Sequence, residues 1–273
     1  MFKRLTKFLS SIFVARAVGD EPKTPANPDR WESYLGNRGG QVALILYNVG
    51  IGDVLHGLSQ KDCLIFTFAL AEPGPDGLPV PDEGKVLFDM DDTFSALVAS
   101  YGAHDLGRVS SAGQRGLYIA ASANAQALGK ALVDAAGKFH YAAKFRIEAD
   151  GVAEVYALVL SPTPEERHIL ADEKVLRQLA ASGDIAAQSR QVDHWAYFPS
   201  RESADSFGKW LGDNGFSNVE VALASRGGGG YVVRSSHEGT MLLDDVTKFT
   251  LPQHHKAVEL GGSYDGWETA VMQ

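Results

Sequence analysis

The sequence predicts an α+β fold in two domains, and three observations carry that expectation. Its 273 residues amount to about two domains at roughly 100–150 residues each. Hydrophobic residues make up 45% and charged residues 22%, enough apolar material for two cores. Short apolar runs and helix-spaced patterns then recur, twice over, in the order strand, helix, strand, strand, helix, strand. That order is the ferredoxin-like split βαβ arrangement, which predicts two sandwich domains with antiparallel sheets joined by a helix. Strand and helix never alternate long enough for a large parallel, doubly wound sheet.

The elements follow in chain order. Residues 1–30 form a basic head and a polar linker; within them Gly19 to Arg30 hold three prolines. The first domain spans 31–162. VALILYNV (42–49) and CLIFTFAL (63–70) are apolar, β-rich runs, separated by the loop GIGDVLHG. AEPGPDGLPVPDEG is a turn-forming surface segment. Leu87, Met90, Phe94, Leu97, Val98 and Tyr101 repeat at helical spacing. LGRVS (106–110) and GLYIAA (116–121) flank Ala112-Gly113-Gln114 as a hairpin, and Asn124 is placed to cap a helix whose Leu128, Leu132 and Ala135 face inward. YAAKFRIE (141–148) and EVYALVL (154–160) read as two more strands around a tight turn at 149–151, so this domain gains an extra strand at each end.

Thr163-Pro164-Glu165-Glu166 marks a helix start, with Thr163 as cap, Pro164 at the first helical position and Glu166 completing the capping box. This helix, in residues 163–190, is expected to connect the domains. The second domain occupies 191–273. VDHWAYF (192–198) alternates as a strand, and Ser200 caps a helix with Ala204, Phe207, Trp210 and Leu211 on one side. NVEVALA (218–224) and YVVRS (231–235) pair across a glycine-rich loop. The stretch Thr240 to Leu260 is interrupted at Pro252, so only its second part need be regular helix.

Charge and composition exclude several functions. Twenty-five basic against 34 acidic side chains give a formal charge of -9, which opposes backbone-driven nucleic-acid binding. No apolar run approaches the ~20 residues of a membrane helix. Cys63 is the single cysteine, so an internal disulfide and a cysteine-rich zinc site are both excluded. The eight histidines show no HExxH and no zinc spacing, and no metal or cofactor is expected. There is no GxSxG elbow, Cys63 reads as a small core residue, and no catalytic residue is assigned. The tetraglycine at 227–230, beside Arg226, reads as a hairpin loop or a partner contact rather than a phosphate loop.

One enzymatic alternative has a motif. Val86-Leu87-Phe88-Asp89-Met90-Asp91-Asp92-Thr93 resembles the first motif of the haloacid-dehalogenase phosphatases. In that chemistry Asp89 would attack a phosphoryl group, and Asp91 would bind Mg²⁺ and protonate the leaving group. The helical spacing of Leu87, Met90, Phe94 and Leu97 argues instead for a solvated helix face. A third class is a small-ligand sensor.

Residues 1–19 carry Lys3, Arg4, Lys7 and Arg16 and no acid. As a helix, Phe2, Leu5, Leu9, Ile12 and Phe13 make one stripe opposite the basic side, suited to a partner or a membrane surface. The same residues also loosely fit a cleavable signal, which leaves export beside the cytoplasmic location otherwise expected.

The closing segment Gly261-Gly262-Ser263-Tyr264-Asp265-Gly266-Trp267-Glu268 sets two large aromatics around an Asp-Gly pair. Tyr264 and Trp267 read either as core or as contact anchors. With HWAYF, a helix, two strands and a helix before it, this ending resembles the ribonuclease E inhibitor protein B family of bacteria. Trp31 to Tyr34, the FTFAL strand, the Gly-Leu-Pro turn and the helix with Phe88 to Leu97 make residues 31–160 similar to the uncharacterised bacterial family called domain of unknown function number 695. The inhibitor family binds the endonuclease ribonuclease E and lowers its activity. Its resemblance implies a non-enzymatic regulator or adaptor with a protein partner, and residues 192–273, with six basic and eleven acidic side chains, suit an acidic binding module. The binding candidates are Tyr264, Asp265, Gly266, Trp267, Glu268 and Arg226.

Overall fold

Apolar strands and the helices that cover them form two antiparallel sheets, one in each of two units: Pro22–Thr163, and a unit that includes Pro164–Gln273. The structure is a computed structural model and describes residues 30–53, 55–58, 61–121, 124–224 and 230–273. The fold is α+β, as expected.

The first unit holds β1 (Trp31–Arg38), β2 (Gln41–Asn48), β3 (Cys63–Ala69), α1 (Pro81–Ser100), β4 (His104–Ser111), β5 (Gln114–Ala120), α2 (Ala125–Lys138), β6 (Ala143–Glu148) and α3 (Val152–Val155). Its sheet runs β1-β2-β4-β5-β3-β6, and every neighbouring pair is antiparallel. β3 lies inside the sheet, and Cys63, Leu64, Ile65, Phe66 and Phe68 are all buried. That is why CLIFTFA reads as a continuous apolar run rather than an alternation. Leu87, Met90, Phe94 and Val98 turn one side of α1 inward, and Phe94 meets Phe66 edge-on at 5.3 Å. The β4–β5 turn puts Ala112 at φ 49 and Gly113 at φ 73, the left-handed pair that fits the twist of a two-residue hairpin.

Two expectations are corrected here. EVYALVL is not a strand: α3 runs on into a π-helical turn, Tyr156–Leu160. Val152, Val155, Tyr156 and Leu160 are buried, a helical stripe that a short apolar run does not separate from a strand without its flanks. The sheet is instead extended on one side by the β1–β2 hairpin. β1 has Tyr34 as its one buried residue and a polar, edge-strand composition. Asn124 does stand at the start of α2, but its side chain makes no capping hydrogen bond.

The second unit holds α4 (Pro164–Ala181), β7 (Arg190–Phe198), α5 (Arg201–Asp213), β8 (Ser217–Leu223), β9 (Tyr231–Gly239), α6 (Leu243–Glu259) and β10 (Ser263–Thr269), with sheet order β10-β7-β9-β8. Ser200 caps α5 as expected, its Oγ accepting from the Ser203 N–H at 3.1 Å. Ala204, Phe207 and Leu211 of α5 pack on Ala196, Phe198 and Val233 of the sheet. α6 runs unbroken through Pro252. That proline is exposed, so the N–H it lacks removes one bond on the helix's wet side without ending the helix. α4 lies in this unit, where Leu179 joins Val192, Met241, Val246 and Trp267 in a small core. Among the described residues no helix is long and apolar enough to cross a membrane.

Candidate interaction face

The closing segment of the sequence is β10, and its register divides it between two faces. Tyr264 pairs with Ala196, Gly266 with Trp195, Trp267 with His194 and Glu268 with Asp193; the bulge falls at Asp265. Gly266 takes φ 129, a backbone shape that side chains resist, so glycine belongs at this bulge.

The inner side is a buried polar network. Trp267 is 4% exposed, and its indole N–H donates to Asp172 Oδ1 at 2.8 Å. Thr250 donates to Asp172 Oδ2 at 2.6 Å. Tyr264 Oη lies 2.7 Å from His194 Nδ1, and His194 Nε2 lies 2.8 Å from His237 Nδ1. Gln253 also reaches His194 Nδ1, at 3.1 Å. His168 stacks on His254 at 4.9 Å and meets Tyr264 edge-on at 5.6 Å. Burial lowers His194 to about 3, with His237 adding to the effect, and burial alone takes His237 to about 4. Burial, then His254 and His255, lower His168 to about 4. The rings are therefore neutral, each with one donor and one acceptor nitrogen. Burial also raises Asp172, against the pull of Thr250 and Trp267, and raises the Tyr264 phenol. This network ties α4, α6, β7, β9 and β10 together. Trp267 is a core residue, so it is not an exposed anchor.

The outer side is different in kind. Along β7, Arg190, Val192, His194, Ala196 and Phe198 are buried, leaving Gln191, Asp193, Trp195 and Tyr197 for the other face. Asp193 stands opposite Glu268, and Trp195 opposite both Gly266 and Arg234. Asp265 is exposed and Tyr197 is 38% exposed. Burial, then Asp193, raises the Glu268 carboxyl, and burial raises Asp265. Among the described residues, the helices of this unit pack on the inner positions. The outer face is thus a partly exposed sheet surface with two aromatics among carboxylates, a chemistry for contact rather than turnover.

Other candidates fall elsewhere. Arg226, the loop glycines 227–229 and the head lie outside the described residues. The phosphatase motif is helical: Asp89 is exposed on α1, and Asp91 is held by Arg108 Nε at 2.8 Å and an Arg115 terminal nitrogen at 2.6 Å. Arg108 also binds Asp105 at 2.8 Å. Asp91 is engaged as an ion-pair partner beneath a wholly antiparallel sheet, without the strand-end setting that the motif's chemistry needs. Cys63 is buried, and burial pushes its thiol up to about 12, which leaves it unreactive. Among the described residues no group of three or more His, Cys, Asp or Glu is placed to hold a metal ion. A groove of about 770 Å³ runs along α4 and α6, with Ile169, Leu243, Leu251 and Pro252 beside Asp244 and Lys248. The histidine network escaped sequence reasoning because its members lie far apart in the chain. The available signal was strand alternation, which sets His194 on the same side as Val192 and Ala196.

Fold and face together define a two-domain α+β protein with an antiparallel sheet in each unit. Residues 29–157 match the model of a family described as "Family of unknown function (DUF695)", and residues 170–269 match "Regulator of ribonuclease activity B". Both resemblances seen in the sequence therefore hold, each over its own segment. No curated protein matches the chain. Among solved structures, one described as "Crystal Structure of an Unknown Protein from Galdieria sulphuraria" aligns at 11% identity over 77% of this chain and 99% of that one, with a TM-score of 0.24.

Proposed function

We propose that the protein is a non-catalytic cytoplasmic regulator whose second unit binds a ribonuclease E-like endonuclease and lowers its activity. The observation that carries this reading is the match of residues 170–269 to the regulator family, a stretch that takes in most of α4 and runs through β10. Those are the elements the buried network binds into one body. We also read both units as ferredoxin-like. What supports this is that β6-β3-β5-β4 within the first sheet and β10-β7-β9-β8 in the second follow the same order, fourth, first, third, second.

A surplus of carboxylates speeds encounter with a basic protein surface and selects against nucleic acid. The test is to titrate purified ribonuclease E from the same cells with the full chain. Heat of binding is followed by calorimetry, and cleavage of a transcript is followed on gels. Saturable binding with slower cleavage, weakening as salt rises, is the expected result. Unchanged cleavage and no heat would overturn the reading.

A further inference from the structure

The basic head, residues 1–19, is a feature of the sequence that the regulator role leaves unused. We propose that this head docks, within its own chain, on the outer face of the β10-β7-β9-β8 sheet.

The face supplies what such a segment needs. Asp193 and Glu268 face each other directly across β7 and β10, and like charges in that position repel. Among the described residues, Asp193, Asp265 and Glu268 have no cationic partner; the one side-chain donor to Asp193 is the neutral Gln191 amide at 2.7 Å. Beside them half-buried Trp195 and exposed Tyr197 offer apolar surface, while Arg234, opposite Trp195, stands across from Glu220 of β8. Burial raises the Asp265 carboxyl, and burial, then the facing Asp193, raises Glu268.

The head is the complement in both respects. Lys3, Arg4, Lys7 and Arg16 bring four cations and no acid, and Phe2, Leu5, Leu9, Ile12 and Phe13 recur at helical spacing. Twelve helical residues are about 18 Å long, within the roughly 30 Å that a nine-residue strand such as β7 spans. The proline-bearing residues 19–30 tether it with a reach of up to ~40 Å. Other surfaces do not compete. The groove along α4 and α6 mixes Asp244 with Lys248 and His255, and Asp91 and Asp105 are already paired with arginines. A docked head covers the carboxylates; where that face also receives the ribonuclease, which rests on the proposed function, the head is its competitor.

The test uses the full chain and no ribonuclease. A zero-length carbodiimide joins lysine amines to carboxylates within contact distance, and mass spectrometry of the digest locates the links. A mixture of ¹⁴N- and ¹⁵N-labelled protein separates links within a chain from links between copies. The expected result is Lys3 or Lys7 joined to Asp193, Asp265 or Glu268 of the same chain, with the yield falling several-fold near 1 M salt. In parallel, the variant Lys3→Glu/Arg4→Glu/Lys7→Glu should shift Trp195 emission to the red, read as a difference against Trp195→Phe. Links to Asp244 or Glu259 instead, links only between copies, or no link with unchanged Trp195 emission would overturn the proposal. So would a head that binds phosphatidylglycerol vesicles while the face stays unlinked.

Discussion

At the scale of the residue, Asp172 shows how one buried carboxyl organises a core. It accepts from Trp267 of β10 and Thr250 of α6 while sitting on α4, so three elements meet at one group. Trp267→Phe keeps most of the ring and removes the N–H; leaving a buried acceptor short of a donor should cost about 1–3 kcal/mol. Trp267→Ala opens a cavity as well and should cost about 3–5 kcal/mol. Urea denaturation of the full chain measures both, and a Trp267→Phe variant as stable as the parent would show that the hydrogen bond contributes nothing. The histidines make a second prediction. His194, His237 and His168 sit at about 3, 4 and 4 in the fold, against roughly 6.5 in an unfolded chain. As pH drops below about 6.5 the unfolded chain takes up protons that the folded rings refuse. The second unit should therefore lose stability from about pH 6.5 down to about pH 3; the raised Asp172 works in the opposite direction. Thermal melts read by tryptophan emission between pH 7 and pH 4 should show a falling midpoint, and a flat profile would contradict neutral buried rings. Sequence reasoning reached the aromatic half of this network, since Tyr264 and Trp267 stand out around Asp-Gly. It missed the imidazole half, because only strand register brings His194, His237 and Trp267 to one side.

At the scale of the element, what was legible depended on whether local pattern alone decides the structure. The β4–β5 hairpin, the inward stripe of α1 and the cap of α5 were all readable, because turn chemistry, helical spacing and a serine before an amphipathic run act over a few residues. Residues 154–160 were not. EVYALVL has strand composition, and what makes it helical is the burial of Val152, Val155, Tyr156 and Leu160 together with the bond from Tyr156 Oη to the Asn48 carbonyl at 2.9 Å, a contact 108 residues away. α2 offers a clean test of packing at this scale. A Cβ on Gly129 would lie 2.5 Å from the ring of Phe145 on β6, whereas one on Gly137 meets nothing within 4 Å. Gly129→Ala should thus destabilise the first unit by about 1–3 kcal/mol through overpacking. Gly137→Ala in the same helix should be neutral or stabilise by up to about 1 kcal/mol through propensity. Chemical denaturation of the two variants side by side separates the effects, and matching signs would contradict this account of how α2 seats on β6.

At the scale of the whole molecule, the charge pattern connects stability to function. The division into two α+β units and the two family resemblances were legible because they rest on the order of many elements. Which carboxylates share a surface was not, because Asp193 and Glu268 meet only through the pairing of β10 with β7, while Glu220 of β8 stands opposite Arg234. A protein selected only for stability gains nothing from setting Asp193 against Glu268, and the arrangement makes sense if the face exists to meet positive charge. Replacing both with neutral isosteres, Asp193→Asn/Glu268→Gln, should therefore act in two directions at once. Relief of the cross-strand repulsion should raise stability by a few tenths to about 1 kcal/mol. On the proposed function, loss of the carboxylates should weaken association with a ribonuclease E-like partner, roughly tenfold at low salt and much less at high salt, because steering by charge is screened. Asp244→Asn on α6, a change of the same kind away from the face, should leave binding nearly unaltered. Denaturant midpoints and association rates at two salt concentrations provide the measurement. If the double variant is destabilised, the two carboxylates have a structural role that the register does not reveal. If it is stabilised but binds as before, the partner meets another surface, and the regulator reading survives without this face.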